Sequence, residues 1–348
     1  MSSTEPSHSI AEMAAQLLGK YKNLIIGKYQ EQADSYRLHQ LMSNNRFAQQ
    51  IDGLHKENCF KYDADPNIFT AVMDTIDLDL IYSNVDKNEE SEQDYEKALV
   101  KELLRYFKED FFTWTNQPNC TQCGNNSNQQ FKSADRPTPE EQSKDRLLSL
   151  VEVYQCTKCQ TITRFPRYNS PYMLLKTKTG RCGEWANMFL FLLKSFGITS
   201  RYIWNREDHV WSEYYNDKEK RWIHLDSCEK SYDQPYIYSK NWNKKMSYCF
   251  AFGNDAVADV SAKYIVVKDN ALPRTEIEEA DLSFLLFELT KSLRNGLSAD
   301  ELYKLGCRDQ LELLELEGEE VVTKTSTAPL GRVSGNAAWK NARGEGGH

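Results

Sequence analysis

The chain has 348 residues, 40% hydrophobic and 27% charged, with a net charge of −8. That is the balance of a globular chain, long enough for one large domain or two smaller ones. The acidic excess gives a nucleic-acid role no electrostatic support from composition.

Residues 1–10 are polar and include Glu5, so they lack the basic and apolar regions of a secretory signal. The spacing of Ile10, Met13, Leu17, Tyr21, Leu24 and Ile25 predicts one long helix over 9–50, capped by Ser9. Its apolar stripe either packs on the protein's own core or docks a partner. Residues 51–90 are acidic, with Asp74, Asp77 and Asp79 set among Ile76, Leu78, Leu80 and Ile81, and the polar run 84–94 reads as loop. Helical spacing returns over 95–115 at Leu99, Leu103, Leu104, Phe107, Phe111 and Phe112. Residues 116–145 are polar, with a solvated loop around Arg136-Pro137-Thr138-Pro139, and the alternation over 152–164 predicts short strands. From Cys182, the spacing of Trp185, Phe189, Leu192, Leu193 and Phe196 predicts a helix ended by Gly197. Strand-like runs follow at 198–204, 209–215 and 221–226, the last two joined by a turn at 216–219. Residues 231–270 are rich in Tyr and Trp. Residues 275–316 read as helical, with Thr275 or Asp281 as a cap, and the tail after Glu317 reads as mobile. The longest purely apolar run near the cysteine motif, 188–193, falls far short of the ~20 residues that span a bilayer.

These shifts divide the chain into an N-terminal helical arm (1–55), a helical part of the core (56–115), a metal-binding subdomain (116–165), a core with C-terminal helices (166–316) and a flexible tail (317–348).

Nine cysteines, four of them in two CxxC pairs, point to a reducing compartment with metal-binding and catalytic uses. Cys120 and Cys123 form one pair, Cys156 and Cys159 the other. Four thiolates fill a tetrahedral zinc shell and leave no position open, which predicts one structural Zn2+. The 124–155 gap exceeds the roughly 15–20 residues of short zinc ribbons, so a loop is inserted there. Cys59, Cys228, Cys249 and Cys307 have no partner pattern and are expected in packing.

Gly180-Arg181-Cys182-Gly183-Glu184-Trp185-Ala186-Asn187 puts one cysteine at the first turn of an apolar helix. The positive end of a helix dipole favours thiolate there, and Arg181 adds positive charge near the sulfur. Gly180 and Gly183 permit close backbone approach. His209 starts one strand and Asp226 ends its hairpin partner, which can bring both to the helix end bearing Cys182. A histidine takes a thiol's proton and a carboxylate orients the histidine, so the order Cys, His, Asp suggests covalent acyl transfer. His224 competes as base, but alternation with Ile223 and Leu225 makes it a strand-face residue.

With Phe111-Phe112-Thr113-Trp114, Asp208-His209-Val210-Trp211, His224-Leu225-Asp226-Ser227-Cys228-Glu229, 246–252 and 259–264, these motifs closely resemble the cytoplasmic peptide:N-glycanases, in their fungal form, of the transglutaminase-like superfamily. The match covers roughly 95–270, and unrelated transglutaminases lack the zinc pairs. It implies an α+β fold: a transglutaminase-like, papain-like core in which a helix delivers the cysteine and a sheet delivers His and Asp, with an inserted zinc-binding subdomain and an N-terminal helical arm. It also implies an amidase in which Cys182 attacks the glycosylated asparagine amide, His209 protonates the leaving glycosylamine and Asp226 holds the imidazole. Trp114 matches a tryptophan near the oxyanion. Glu184, Trp185 and the aromatic 231–248 stretch are candidates for sugar or peptide contacts.

The family acts on misfolded glycoproteins exported from the endoplasmic reticulum. Cytoplasmic location is implied, with the nucleus as a second. Neither membrane insertion nor nucleic-acid binding is expected. In fungal relatives terminal helices bind a ubiquitin-like proteasome shuttle protein of the DNA-repair type, and the 9–50 segment is the expected contact. The 331–345 stretch looks like the start of an animal mannose-binding domain, too short to recognise mannose. Two alternatives stand: a transglutaminase or cysteine protease with the same triad, and a non-enzymatic module like the DNA-damage recognition proteins of this superfamily.

Overall fold

The computed structural model describes residues 10–60, 65, 67–92, 94–318 and 331–347. The chain forms two compact units, Met1–Gly53 with Thr275–Leu285 and Leu54–Arg274 with Leu286–His348.

In the first unit, the expected single helix is broken. Helix α1 (Ile10–Asn44) stops at Asn45, whose side-chain oxygen accepts the Ala48 N–H at 2.8 Å and starts α2 (Arg46–Phe60). The expected Ser9 cap lies outside the described residues. Arg37 pairs with Asp281 at 2.7 Å and covers the Phe284 ring. Leu17, Tyr21, Leu24 and Tyr29 on α1 remain 57–72% exposed, so burial on the protein's own core does not explain that part of the stripe.

In the second unit, α3 (Asn67–Thr75), α4 (Leu78–Glu92) and α5 (Tyr95–Tyr106) come first. The expected loop over 84–94 is instead mostly the end of α4. Ile81 and Val85, one turn apart, are fully buried, and Asn84 donates to Glu102 at 2.9 Å. The helix expected to reach 115 ends at Tyr106 and gives way to a π-turn over Phe107–Phe111. Phe107, Phe111 and Phe112 stack there, and β1 (Thr113–Trp114) follows.

A small antiparallel sheet, β2 (Gln129–Asp135), β3 (Val151–Cys156) and β4 (Ile162–Pro166), carries the cysteine pairs at its end. The loop expected at 136–139 leads into a short helix, α6 (Pro139–Lys144), capped by Thr138 and Glu141. Helix α7 (Pro171–Thr177) and β5 (Thr179–Gly180) lead into α8 (Cys182–Ser195). Residues 188–193 of α8 are fully buried, and the chain leaves the helix through Gly197 at φ +72°.

Helix α8 packs on the antiparallel sheet that follows: β6 (Ser200–Asn205), β7 (His209–Asn216), β8 (Arg221–Asp226), β9 (Ser231–Tyr232), β10 (Cys249–Phe252) and β11 (Val257–Asp259), in the order β11-β10-β6-β7-β8-β9. The expected hairpin is present, with Asn216 opposite Arg221. A buried aromatic cluster of Trp211, Tyr238, Trp242 and Tyr264 packs against this sheet. Then come α9 (Ser261–Tyr264), α10 (Glu279–Leu293) and α11 (Ala299–Glu317). Asp281 lies in the first turn of α10, and Ser298 with Glu301 caps α11. Arg201, buried in the sheet, pairs with Glu213 and with Glu312 of α11.

The expected mobile tail is folded in its described part. Residues 331–347 include α12 (Ala337–Ala342), and Arg332 and Glu345 are buried. Cys59, Cys228 and Cys249 are buried as expected; Cys307 is exposed.

Candidate active site and metal centre

Gly180 sets the entry to α8. It pairs with Trp114 across the parallel β1–β5 bridge. A Cβ there would fall within 3.0 Å of the Glu184 side chain. Glycine therefore lets Glu184 reach back and accept the Arg181 N–H at 3.0 Å, closing the first turn of α8. Gly183 has open space around it, so close approach explains only the first glycine. Cys182 is the first residue of α8 and half-buried. Its sulfur belongs to a turn whose N–H groups lack intrahelical partners. Burial pushes the thiol pKa up, while the charges of Arg332, Arg343 and Arg167 pull it down and Asp208 opposes them.

Arg181 does not supply the expected charge. Its guanidinium turns to β3, pairing with Glu152 at 2.6 Å and donating to Tyr154 and the Thr115 and Asn116 carbonyls. Glu152 also pairs with Arg167, which grips Glu184 through Nε and Nη2. The cysteine-bearing lobe and the start of α8 are thus joined by alternating charges.

His209 and Asp226 meet as the hairpin requires. His209 Nε2 lies 2.9 Å from Asp226 Oδ2, and both side chains are buried. The same oxygen accepts the Tyr238 hydroxyl at 3.0 Å, and Oδ1 accepts the backbone N–H groups of Cys228 and Glu229 at 2.9 and 3.3 Å. A carboxylate only accepts, so His209 presents Nε2–H to it and keeps Nδ1 as the basic nitrogen. Nδ1 has no hydrogen-bond partner among the described residues. Burial, and next the Arg332 charge, hold the His209 pKa well below its ordinary value, which favours the neutral imidazole.

His224 is no competing base. Gln234 N–H donates to its Nδ1 at 3.3 Å, so Nε2 carries the proton and donates to Tyr238 at 2.7 Å. Tyr238 passes its own proton toward Asp226. This fixed chain orients the carboxylate, and sequence spacing did not disclose it.

The other expected contacts fare differently. Trp114 is half-buried, and its indole N–H is engaged by Asn116 Oδ1 at 3.1 Å rather than unpaired. Trp185 is 2% exposed, wedged edge-on against Phe107 and Phe112, and its N–H donates to the Gly180 carbonyl. Glu184 is likewise occupied by Arg181 and Arg167 and buried. In the 231–248 stretch, Tyr238 and Trp242 are buried, both against His209. Sequence reasoning missed Arg332, Lys244 and Glu345, which gather near the start of β7. Gly331, Gly335 and Trp339 were the available signal: a Cβ at either glycine would strike the folded tail itself.

The four cysteines of the two CxxC pairs converge, with all four sulfurs within 4.8 Å of one another. Cys120 and Cys159 lie 3.5 Å apart, Cys123 and Cys156 3.8 Å. A tetrahedron with ~2.3 Å metal–sulfur bonds has edges of about 3.8 Å, so the cluster fits one metal ion. All nine cysteines are free thiols. Among the described residues, no helix is long and apolar enough to cross a membrane.

A family model described as the transglutaminase-like superfamily matches residues 129–227, and one described as the Rad4 transglutaminase-like domain matches 199–313. The chain is 49% identical to the peptide-N(4)-(N-acetyl-beta-glucosaminyl)asparagine amidase of Kluyveromyces lactis, over 99% of each chain. It is 49% identical to the protein so named from Saccharomyces cerevisiae, over 97% of this chain and 96% of that one. The Candida glabrata protein is 50% identical, over 97% and 98%. With half of its residues matched over nearly its whole length, and a transglutaminase-like core carrying the Cys182, His209 and Asp226 elements, the chain belongs to the peptide-N(4)-(N-acetyl-beta-glucosaminyl)asparagine amidase family.

Proposed function

We propose that the protein hydrolyses the side-chain amide joining an N-linked glycan to asparagine, using Cys182 as nucleophile. The observation that carries this reading is the buried His209–Asp226 pair, 2.9 Å apart with Nδ1 of His209 unpartnered among the described residues, in a chain of this family. His209 Nδ1 takes the thiol proton, and the sulfur attacks the amide carbon. The tetrahedral adduct collapses as the carbon–nitrogen bond breaks and His209 returns the proton to the departing glycosylamine. Water, deprotonated by His209, then cleaves the thioester, leaving aspartate and the free thiol. The glycosylamine later loses ammonia in water.

Four cysteines at these separations suit zinc, which would hold the 116–165 lobe in shape without an open position for chemistry. The exposed Leu17, Tyr21, Leu24 and Tyr29 of α1 support docking of a ubiquitin-like proteasome shuttle protein of the DNA-repair type. The proposed role is action on misfolded glycoproteins in endoplasmic-reticulum-associated degradation, in the cytoplasm with the nucleus as a second location. A heat-denatured high-mannose glycoprotein, incubated with the protein and with Cys182→Ala, tests the reaction. Release with Asn converted to Asp, lost in the variant, is expected. Release that leaves a sugar on Asn, or survives in Cys182→Ala, would overturn it.

A further inference from the structure

The C-terminal segment is anchored at both ends of the catalytic hairpin. Glu229, whose backbone N–H bonds Asp226, accepts the backbone N–H groups of Val333 and Ser334 at 2.6 and 3.1 Å. Arg343 pairs with Asp208, the residue before His209. Lys244 and Arg332 hold the two oxygens of buried Glu345, each at 2.7 Å. Within this frame the Arg332 guanidinium stacks on Trp114 at 5.4 Å and Trp242 at 5.1 Å. Trp114 pairs in register with Gly180, two residues before Cys182, and Trp242 lies against the His209 ring. The Arg332 side chain is fully buried, and its Nη2 has no partner among the described residues.

We propose that Arg332 is a positioning residue for the reaction, a desolvated cation that the folded 331–347 segment brings beside Cys182 to hold negative charge on its sulfur. A buried charge acts over several ångströms with little screening. Arg343, Arg167 and Asp208 are the other charged groups acting most on the thiol, and the titratable Tyr202 and Cys228 also interact with it. Arg343 is matched by Asp208, and Arg167 by Glu184 and Glu152. Arg332 has Glu345 as its one close carboxylate, shared with Lys244 and Arg343, and Glu229 at 3.8 Å. Of these four groups, Arg332 pulls the thiol pKa down most; it also pulls the His209 pKa down, which favours thiolate beside a neutral imidazole.

The inference rests on Cys182 being the nucleophile, so its test reads the thiol separately from the product. Iodoacetamide labelling of Cys182, followed by peptide mass against pH, is measured on the full chain, alongside glycan release from a denatured glycoprotein. Arg332→Met is expected to move the labelling midpoint up by about one pH unit and to slow release at least tenfold. Arg332→Lys should restore most of the midpoint. Glu345→Gln, which keeps the cation and removes its carboxylate, should move the midpoint down. That opposite sign separates a charge effect from loss of structure, which would shift both variants the same way. Unchanged midpoints, shifts of one sign in Arg332→Met and Glu345→Gln, or faster release by Arg332→Met, as a mere cover over the site would give, each overturn the proposal. Normal release by Cys182→Ala would instead sink the underlying assignment.

Discussion

Replacing Asp226 with asparagine keeps the shape of the side chain but changes both hydrogen bonds at the Oδ2 position, from His209 and from Tyr238. Oδ1 accepts two backbone N–H groups, from Cys228 and Glu229. The amide oxygen stays on that side, because turning it would face NH2 against two fixed backbone donors, roughly 2 kcal/mol or more, whereas on the Oδ2 side the His209 tautomer and the Tyr238 hydroxyl can readjust. The NH2 then occupies the Oδ2 position, 2.9 Å from His209 Nε2. An NH2 donates, so Nε2 becomes the acceptor and the imidazole proton moves to Nδ1. That nitrogen is the one with no partner, and once protonated it cannot take the thiol's proton. The same tautomer inversion in a Ser-His-Asp enzyme costs roughly 10⁴ in rate, about 5 kcal/mol of barrier. We expect Asp226→Asn to fold and to release glycan from a denatured glycoprotein about 10⁴-fold more slowly in single turnover. A loss under about tenfold, in a folded variant, would refute the claim that Nδ1 serves Cys182.

Gly180→Ala should be costly for so small a change. Its Cβ collides with Glu184, which must then release Arg167 and the Arg181 N–H, with an expected loss of about 1–3 kcal/mol in urea unfolding and slower Cys182 alkylation. Cys156→Ser, or chelation, should lower the melting temperature and open the 116–165 lobe to protease; glycan release should fall too, because Glu152 on β3 anchors both Arg181 and Arg167 beside α8. Acid should unfold the protein in two stages. Burial holds the His224 pKa at about 4, so the stability it contributes is intact above its unfolded value of 6.5 and declines as pH falls toward 4, by about 3 kcal/mol. Burial alone would raise Glu213, but Arg201 and Lys263 outweigh it and hold the carboxyl at about 2, so its contribution is present above pH 4.5 and is lost between there and pH 2. Urea titrations at stepped pH check both, and a flat profile from pH 6.5 to 4 would contradict the first.

The parts of the site readable in sequence are those made by local periodicity. A 3.6-residue apolar repeat behind Cys182 predicts α8, whose residues 188–193 are fully buried. Alternation around a polar turn gives β7 and β8, and their register, with Ser212 opposite Leu225, puts His209 and Asp226 on one face as diagonal neighbours at the strand ends. Two CxxC pairs converge because each is a tight turn with two sulfurs on one side. Elsewhere, tertiary contacts decide. The 84–94 run is polar enough to read as loop, yet Val85 is buried and Asn84 finds Glu102. Trp185 and Glu184 sit beside Cys182 in sequence, but a helix sends successive side chains about 100° apart, so these neighbours point into core and ion pairs instead.

The C-terminal segment shows the same limit from the other side. Residues 317–348 lack apolar periodicity, and composition alone ranks them with mobile tails. What orders the described part is polar: an arginine against three tryptophans, a glutamate held by Arg332 and Lys244, and backbone N–H groups given to Glu229. Such contacts leave no hydrophobic pattern. Their trace is the glycines, since a Cβ at 331 would strike the backbone at 346–347 and one at 335 would strike the Trp339 ring. Glycines spaced through a basic, tryptophan-bearing stretch therefore mark chain folded closely on itself, and here that chain lies against the turn that holds Asp226. A segment that binds both Glu229 and Asp208 constrains the two strand ends that bring His209 and Asp226 together, which is reason to treat it as part of the active site's structure and not as an appendage to it.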